Sequence, residues 1–281
     1  MSKITWSDIQ FKRLKELGGD PEAVSASFDS NDARNRCFQG LEKKLVKQEK
    51  LRLNEFLNGQ LQTRLYKLEC RLTEALNQQG FSRVSTSTMI SKSQLAKMSI
   101  DENHPLFNQV YWVSDKQCLR PMLAPNLYSL MYELARGAKK PIRFFEIGSC
   151  FRKESNTARH SSEFTMLNLV EMGLPKEGRL ERLKELGKII TEAAGLKDCD
   201  FAKETSAVYG DTIDIVCGEN KTEIASGAMG PHPLDHAWRI TDTWVGLGFG
   251  LERMVMMNQG SDSISKWGKS LAYMDGIRLN F

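Results

Sequence analysis

The chain contains no run of eighteen apolar residues, which excludes an ordinary membrane-spanning helix. Its first residues, MSKITWSD, lack a basic segment followed by an apolar one, so no secretory signal is expected. None of its six cysteines belongs to a C-x-x-C pair. Cys37, Cys70, Cys118, Cys150, Cys199 and Cys217 are scattered, which argues against a cysteine-based zinc site and predicts reduced thiols in a cytoplasmic protein. Internal repeats, low-complexity tracts and long linkers are also missing. Disorder is excluded by composition: of 281 residues, 41% are hydrophobic and 26% charged, close to the globular norm.

What is present is unevenly placed. Net charge is +4, yet Arg34, Arg36, Lys43, Lys44, Lys47, Lys50 and Arg52 face only Glu42 and Glu49 within one short stretch. The rest of the chain is close to neutral. Such concentration predicts a polyanionic partner, with a solvated helix face as the alternative.

The chain divides near residue 58. Residues 1–58 read as polar and helical. Ser7-Asp8-Ile9-Gln10 has the capping-box pattern, Gly18-Gly19 supplies a stop, and a longer helix covers the basic stretch as far as Asn58-Gly59. Leu61, Leu65, Leu68, Leu72 and Leu76 mark one face of an amphipathic helix that Gly80 closes. Strands are then expected over 81–90, a hairpin at 111–113 and 118–120, a helix over 125–135, and long strands over 142–152 and 163–172. The link between those two is too short for a parallel crossover, so they pair antiparallel. A charged helix over 177–195, strands near 212–217 and 222–229, and a strand over 244–249 running into a helix complete the pattern. The sum is an α+β fold: a mostly antiparallel sheet flanked by helices, with an N-terminal helical extension.

Three local patterns carry chemistry. In Trp244-Val-Gly-Leu-Gly-Phe-Gly-Leu-Glu-Arg253, strand alternation puts Gly246, Gly248 and Gly250 on one face and Val245, Leu247, Phe249 and Leu251 on the other. The apolar row can enter the core, while the bare row lets a flat ligand lie on the backbone. The helix that follows brings its free N–H groups and Arg253 toward a phosphate. The spacing is not a dinucleotide fingerprint, and close helix packing is the alternative reading. In Phe144-Phe-Glu-Ile-Gly-Ser-Cys-Phe-Arg-Lys-Glu154, Arg152 points away from the apolar row where a polar loop begins, and Glu154 follows two residues on; a surface ion pair is the alternative. In Glu163-Phe-Thr-Met-Leu-Asn-Leu-Val-Glu-Met172, one face carries Phe164, Met166, Asn168, Val170 and Met172, an apolar row interrupted by one amide that must be satisfied locally or by a ligand. His232-Pro-Leu-Asp-His236 has a metal-like spacing, but Pro233 argues against a zinc-binding helix.

Together the Arg-x-Glu unit and the later G-x-G-x-G-x-E-R unit resemble the core of class II aminoacyl-tRNA synthetases. Leu119-Arg-Pro-Met-Leu-Ala-Pro-Asn-Leu-Tyr128, Phe151-Arg-Lys-Glu-Ser155, Glu163-Phe-Thr-Met-Leu-Asn168 and Val208-Tyr-Gly-Asp-Thr212 resemble, within that class, the pyrrolysyl-tRNA synthetase family. The resemblance implies a basic, tRNA-contacting helical segment over 1–58 and a class II catalytic domain over 59–281. It further implies ATP-dependent attachment of pyrrolysine to its tRNA through an aminoacyl-adenylate, a homodimer, and a separate N-terminal tRNA-binding polypeptide, as in the bacterial-type split enzyme.

Residue by residue, the resemblance implies that Arg152 and Arg253 are the catalytic arginines, at the α-phosphate and at the far phosphates of a bent ATP. Glu154 would meet the adenine amine, His160 and Phe164 would complete that unit with the Phe164 ring under adenine, and Gly250 would belong to the backbone floor. Glu223 and Ser226 would bind Mg²⁺; a regular strand places them on opposite faces, so a shared ion requires a bulge or bend. Ala124, Leu127, Tyr128, Met131, Val170 and Trp244 would wall a deep apolar pocket floored by Gly246. Asn168 would bond the substrate's side-chain amide carbonyl, and Tyr209 would close over the pyrroline ring. Free lysine would be refused because its ammonium loses hydration there without gaining a partner. Lys43, Lys44 and Lys47 would meet tRNA. Ser87 stands where the first class II motif usually carries an interface proline, so the dimer rests on the family alone. The alternatives are another class II synthetase, for instance one charging phenylalanine, and a non-catalytic synthetase-like tRNA-binding or regulatory protein.

Overall fold

A computed structural model describes residues 4–153 and 161–281. The chain forms two compact units, Met1–Thr63 with Ser270–Phe281, and Arg64–Lys269.

The first unit opens with β1 (Ile4–Thr5), α1 (Asp8–Glu16), α2 (Pro21–Val24), β2 (Ser27–Phe28) and α3 (Asn31–Asn58). Ser7 Oγ accepts from the Gln10 N–H at 3.3 Å while Gln10 Oε1 accepts from the Ser7 N–H at 3.2 Å, the reciprocal cap expected for α1. Trp6, Leu14, Leu17 and Leu45 form its small core. Both acids of the basic stretch are consumed inside the unit. Glu42 accepts from Arg13 at 2.8 Å. Glu49, buried, pairs with Arg52 and accepts the Arg278 N–H at 2.6 Å. Lys43, Lys44 and Lys47 stay exposed on α3, and among the described residues none has an ion pair. Leu61 does not extend the next helix: Gln60 takes φ +48° and the Leu61 N–H returns to Phe56 O at 3.0 Å, closing α3 with a Schellman turn.

The second unit runs α4 (Arg64–Gln78), β3 (Ser82–Arg83), β4 (Met89–Ser91), α5 (Lys92–Lys97), β5 (Trp112–Ser114), β6 (Gln117–Leu119), α6 (Ala124–Ala135), β7 (Ile142–Phe151), β8 (Glu163–Met172), α7 (Arg179–Ala194), β9 (Cys199–Ser206), β10 (Gly210–Cys217), β11 (Thr222–Gly230), α8 (Asp235–Trp238), β12 (Trp244–Gly250) and α9 (Leu251–Asn258). Among the described residues, its main sheet orders seven strands β3-β7-β8-β12-β11-β10-β9, antiparallel except where β3 meets β7. One face buries Leu68, Leu72 and Leu76 of α4 with Leu186 and Ile190 of α7 against Phe145, Leu169, Leu247 and Phe249. At about 1.5–3 kcal/mol per fully buried leucine, this packing outweighs any local helix preference. The opposite face carries α6 over Phe144, Val170 and Trp244.

Three expectations are corrected. The single strand over 81–90 is two short ones in different sheets, and 85–88 between them is held largely by side chains, with one backbone bond from the Arg120 N–H to Thr88 O at 3.0 Å: Arg120 and Glu146 form a buried pair at 2.7 Å, Thr86 donates to Glu146, and Asn126 Nδ2 donates to Ser87 O at 2.7 Å. A strand over Cys199–Ser206 adds an edge that the sequence reading left out. Cys199 and Cys217, opposed across β9 and β10, are joined in a disulfide, so the expectation of reduced thiols fails for this pair. Cys118 and Cys150 are free and buried, and burial pushes their thiols up to about 11 and about 12, too high for a nucleophilic role at neutral pH.

Candidate active site

A cavity of about 300 Å³ opens on the α6 face of the main sheet. Strand register builds it. Directly opposed residues of antiparallel strands share a face, and one row across five strands reads Asp214, Ser226, Gly248, Asn168 and Glu146. The next row along the strands reads Ala228, Gly246, Val170 and Phe144. The glycines of β12 therefore sit between functional side chains, with Val245, Leu247 and Phe249 turned into the core behind them. A Cβ on Gly248 would lie 3.0 Å from Asn168 Oδ1, so only a hydrogen leaves that amide room. Among the described residues nothing stands within 4 Å of a Cβ on Gly250, an open stretch of floor.

Every residue assigned to the nucleotide, metal and amino acid lines this one cavity, apart from Glu154 and His160, which lie outside the described residues. Arg152 leaves the end of β7, donates from Nε to Pro121 O at 3.0 Å, and lays its guanidinium over the Phe164 ring at 5.2 Å. Arg253, in the first turn of α9, donates from Nη1 to Glu223 O at 2.7 Å. Glu223 and Ser226 share the cavity because the register slips by one between Ile215 and Val216 of β10, leaving Ile224 of β11 unpaired. That bulge turns Ile224 and Ala225 together into the core and brings the two flanking side chains to one face. Ser226 Oγ donates to Asp214 Oδ1 at 2.6 Å, which leaves its lone pairs toward the cavity.

The end assigned to the amino acid is walled by Ala124, Leu127, Tyr128 and Met131 of α6, with Val170 and Trp244 of the sheet. Leu134, on the same helix stripe, does not reach it. Asn168 Oδ1 is buried here without a hydrogen-bond partner among the described residues. So is the Tyr128 hydroxyl, whose pKa burial raises, with Asp235 and Tyr209 adding to the shift. Trp244 Nε1 donates to Asp235 Oδ1 at 3.0 Å, and burial holds the Asp235 carboxyl above its usual range.

The sequence reading gave no role to Met122, Met166, Val208 or Glu252, which also line the cavity. Glu252 was visible as the acid of the G-x-G-x-G-x-E-R unit. Its buried carboxylate accepts the Thr165 N–H at 2.8 and 2.9 Å, pinning α9, and so Arg253, to β8. Burial raises its pKa, against the Thr165 hydrogen bonds. A raised folded value stabilises below the unfolded glutamate pKa, about 4.3, and that contribution is lost as pH climbs through the folded value. Glu252→Gln keeps an acceptor without the charge. Its Tm relative to the parent chain is expected to rise as pH climbs above the unfolded glutamate pKa, about 4.3, in thermal melts; a constant offset would show that no buried charge is being relieved.

His236 and Ser87 both lie at the surface. His236 is exposed, and among the described residues no group of three or more His, Cys, Asp or Glu could hold a metal. Ser87 is exposed and donates from Oγ to Met89 O at 2.8 Å.

An antiparallel sheet bearing an arginine at the end of one strand, and a glycine strand delivering a second arginine from the helix behind it, defines a class II aminoacyl-tRNA synthetase catalytic domain. The family model for the phenylalanyl tRNA synthetase beta chain CLM domain matches residues 56–230. A crystal structure of pyrrolysyl-tRNA synthetase from Desulfitobacterium hafniense is 50% identical, covering 99% of each chain with a TM-score of 0.90. A structure of Desulfitobacterium hafniense PylSc, a pyrrolysyl tRNA synthetase, is 49% identical over 99% of this chain and 96% of that one, with a TM-score of 0.87. The chain belongs to the pyrrolysyl-tRNA synthetase family.

Proposed function

We propose that the chain is an aminoacyl-tRNA ligase that activates pyrrolysine with ATP and passes the aminoacyl group from the adenylate to its tRNA. The observation that carries the substrate is Asn168, half-buried in the cavity, whose amide oxygen is buried and unserved among the described residues. A side-chain amide on the substrate offers what asparagine lacks there: its carbonyl accepts from Nδ2 and its N–H serves Oδ1. Phenylalanine offers neither group and would leave the orphan in place.

The chemistry asks little acid–base work of the protein. The amino acid's carboxylate attacks the α-phosphate, pyrophosphate leaves, and the tRNA's terminal ribose hydroxyl then takes the aminoacyl group. Arg152, steadied by Phe164 and Pro121 O, and Arg253, tethered to Glu223 O, would offset phosphate charge. The Gly246–Gly250 floor would let nucleoside and amino acid lie flat on the backbone, and Glu154 and His160 would complete the adenine site. Glu223 and Ser226 fit a Mg²⁺ ion because the Ile224 bulge turns them to one face, and one carboxylate with one hydroxyl suits an ion that takes its other oxygens from phosphates and water. Bound there, Mg²⁺ would neutralise charge on the phosphates.

Pyrophosphate exchange into ATP, with pyrrolysine, N-acylated lysines, phenylalanine and lysine offered separately, tests this reading. Exchange with pyrrolysine and acylated lysine is expected. Exchange with phenylalanine alone would overturn the substrate, and none with any would favour the non-catalytic alternative. The exposed lysines of α3 supply a cationic landing surface for tRNA. Charge reversal at Lys43, Lys44 and Lys47 is expected to weaken tRNA binding, steeply with added salt, while sparing pyrophosphate exchange; equal loss of both would assign the stretch a structural role. A homodimer, a cytoplasmic setting and a separate tRNA-binding polypeptide belong to the same proposal and rest on family membership. No helix among the described residues is long and apolar enough to cross a membrane.

A further inference from the structure

The tripeptide His-Pro-Leu occurs twice, at His104–Leu106 and His232–Leu234, and both copies are built alike. In each, the leucine N–H donates to Nδ1 of the histidine two residues before it, at 3.1 Å for Leu106 and 3.2 Å for Leu234. The intervening proline has no N–H to compete. With Nδ1 fixed as the acceptor, a neutral ring carries its proton on Nε2. Both Nε2 atoms meet carbonyls of one short turn. His104 Nε2 lies 3.2 Å from Ala207 O, and His232 Nε2 lies 2.8 Å from Tyr209 O.

That turn joins β9 to β10 and carries Tyr209 to the cavity. β9 is the outermost strand of the main sheet, so the turn has ladder support from one side only. Locally it is closed by Ser206 Oγ, which accepts the Tyr209 N–H at 2.9 Å. The His232 clamp is itself anchored to the cavity wall: its N–H donates to Asp235 Oδ2 at 2.7 Å, and Asp235 accepts from Trp244 Nε1. The His232 ring also meets the Tyr209 ring edge-on, with centroids 5.5 Å apart.

We propose that His104 and His232 are positioning residues that together hold the Ala207–Tyr209 turn, so that Tyr209 is set over the amino-acid end of the cavity before substrate arrives. The clamp rests on the assignment of that cavity to the amino acid, and it acts through Tyr209. A preset cover avoids the ordering cost that a loose turn meets at binding. Its contribution belongs to the KM for a long amino acid and not to the KM for ATP.

Two measurements test it. In ATP–pyrophosphate exchange, His232→Leu is expected to raise the KM for pyrrolysine or an N-acylated lysine about 3- to 10-fold, the range for losing one such hydrogen bond, with the KM for ATP unchanged. His104→Leu should act in the same direction. His232→Gln, which can return an N–H toward Tyr209 O, should recover most of the loss. In a Tyr209→Ala background both histidine substitutions should lose their effect. A rise that persists without Tyr209, or that extends equally to ATP, would overturn the clamp. Independently of any substrate, amide hydrogen exchange across 206–210 should quicken about 10-fold in His104→Leu and His232→Leu relative to the ligand-free parent. Unchanged protection in both would overturn the clamp, whereas failure of the parent chain to exchange pyrophosphate with pyrrolysine would overturn only the cavity's assignment.

Discussion

Arg253→Ala is expected to lower pyrophosphate exchange about 10²- to 10³-fold, the cost of removing one preorganised charge stabiliser from a phosphoryl-transfer site. The loss should fall on kcat with saturating ATP, because the work proposed for the guanidinium is to offset charge as pyrophosphate departs. The Arg253 side chain is 30% exposed and is held by the Glu223 carbonyl and a long, solvent-exposed ion pair with the Glu223 carboxylate, so Tm should hardly move. Arg253→Lys would keep the charge and lose the planar fork, and should restore only part of the rate. Exchange within about threefold of the parent would mean that the helix following the glycine strand is packed there for the core alone.

Asn168→Ala should have the largest effect on substrate choice. It removes an amide whose oxygen is buried and leaves an apolar space, so the KM for an N-acylated lysine is expected to rise about 10- to 100-fold, while phenylalanine-class amino acids gain entry. Gly248→Ala gives a check from the other side of the same row. Its methyl would press on the Asn168 amide, 3.0 Å from Oδ1 and 3.2 Å from Nδ2, without deleting any wall residue. Both variants should shift preference the same way in exchange assays with the two amino acids. If Gly248→Ala alone leaves acylated lysine untouched, the orientation of Asn168 is not what selects the substrate.

Much of this was legible because side-chain alternation survives folding unchanged. The glycine and apolar rows of β12, the opposed faces of β7 and β8, and the leucine face of α4 could be assigned from spacing alone, and each packs as its period requires. The losses have local causes. β9 escaped notice because an edge strand carries polar residues such as Lys203 and Glu204, which blur its period. The stretch 85–88 looked like strand because serine and threonine suit one, yet its partners are the Arg120, Asn126 and Glu146 side chains, contributed by distant residues. The Cys199–Cys217 pair depends on the register of two strands, which spacing does not encode. The repeated His-Pro-Leu lay in plain view, but that both copies reach one turn is a matter of tertiary placement. For the metal pair, spacing named a condition: Glu223 and Ser226 are three apart, and only an irregular strand could bring them together.

That irregularity makes chain length at one point a chemical variable. Add one residue to β10 between Ile215 and Val216 and Ile224 gains a partner: β11 regains an unbroken alternation, swinging the Glu223 carboxylate from the cavity into the greasy interior while Glu223 and Ser226 are both still encoded. Shortening or lengthening the tip at 218–221 carries no such consequence, since the pairing beyond it keeps its phase. Two neighbouring places in one hairpin thus differ sharply in tolerance: at the tip an added residue is absorbed, and opposite Ile224 the same addition would part the proposed metal pair without replacing either member.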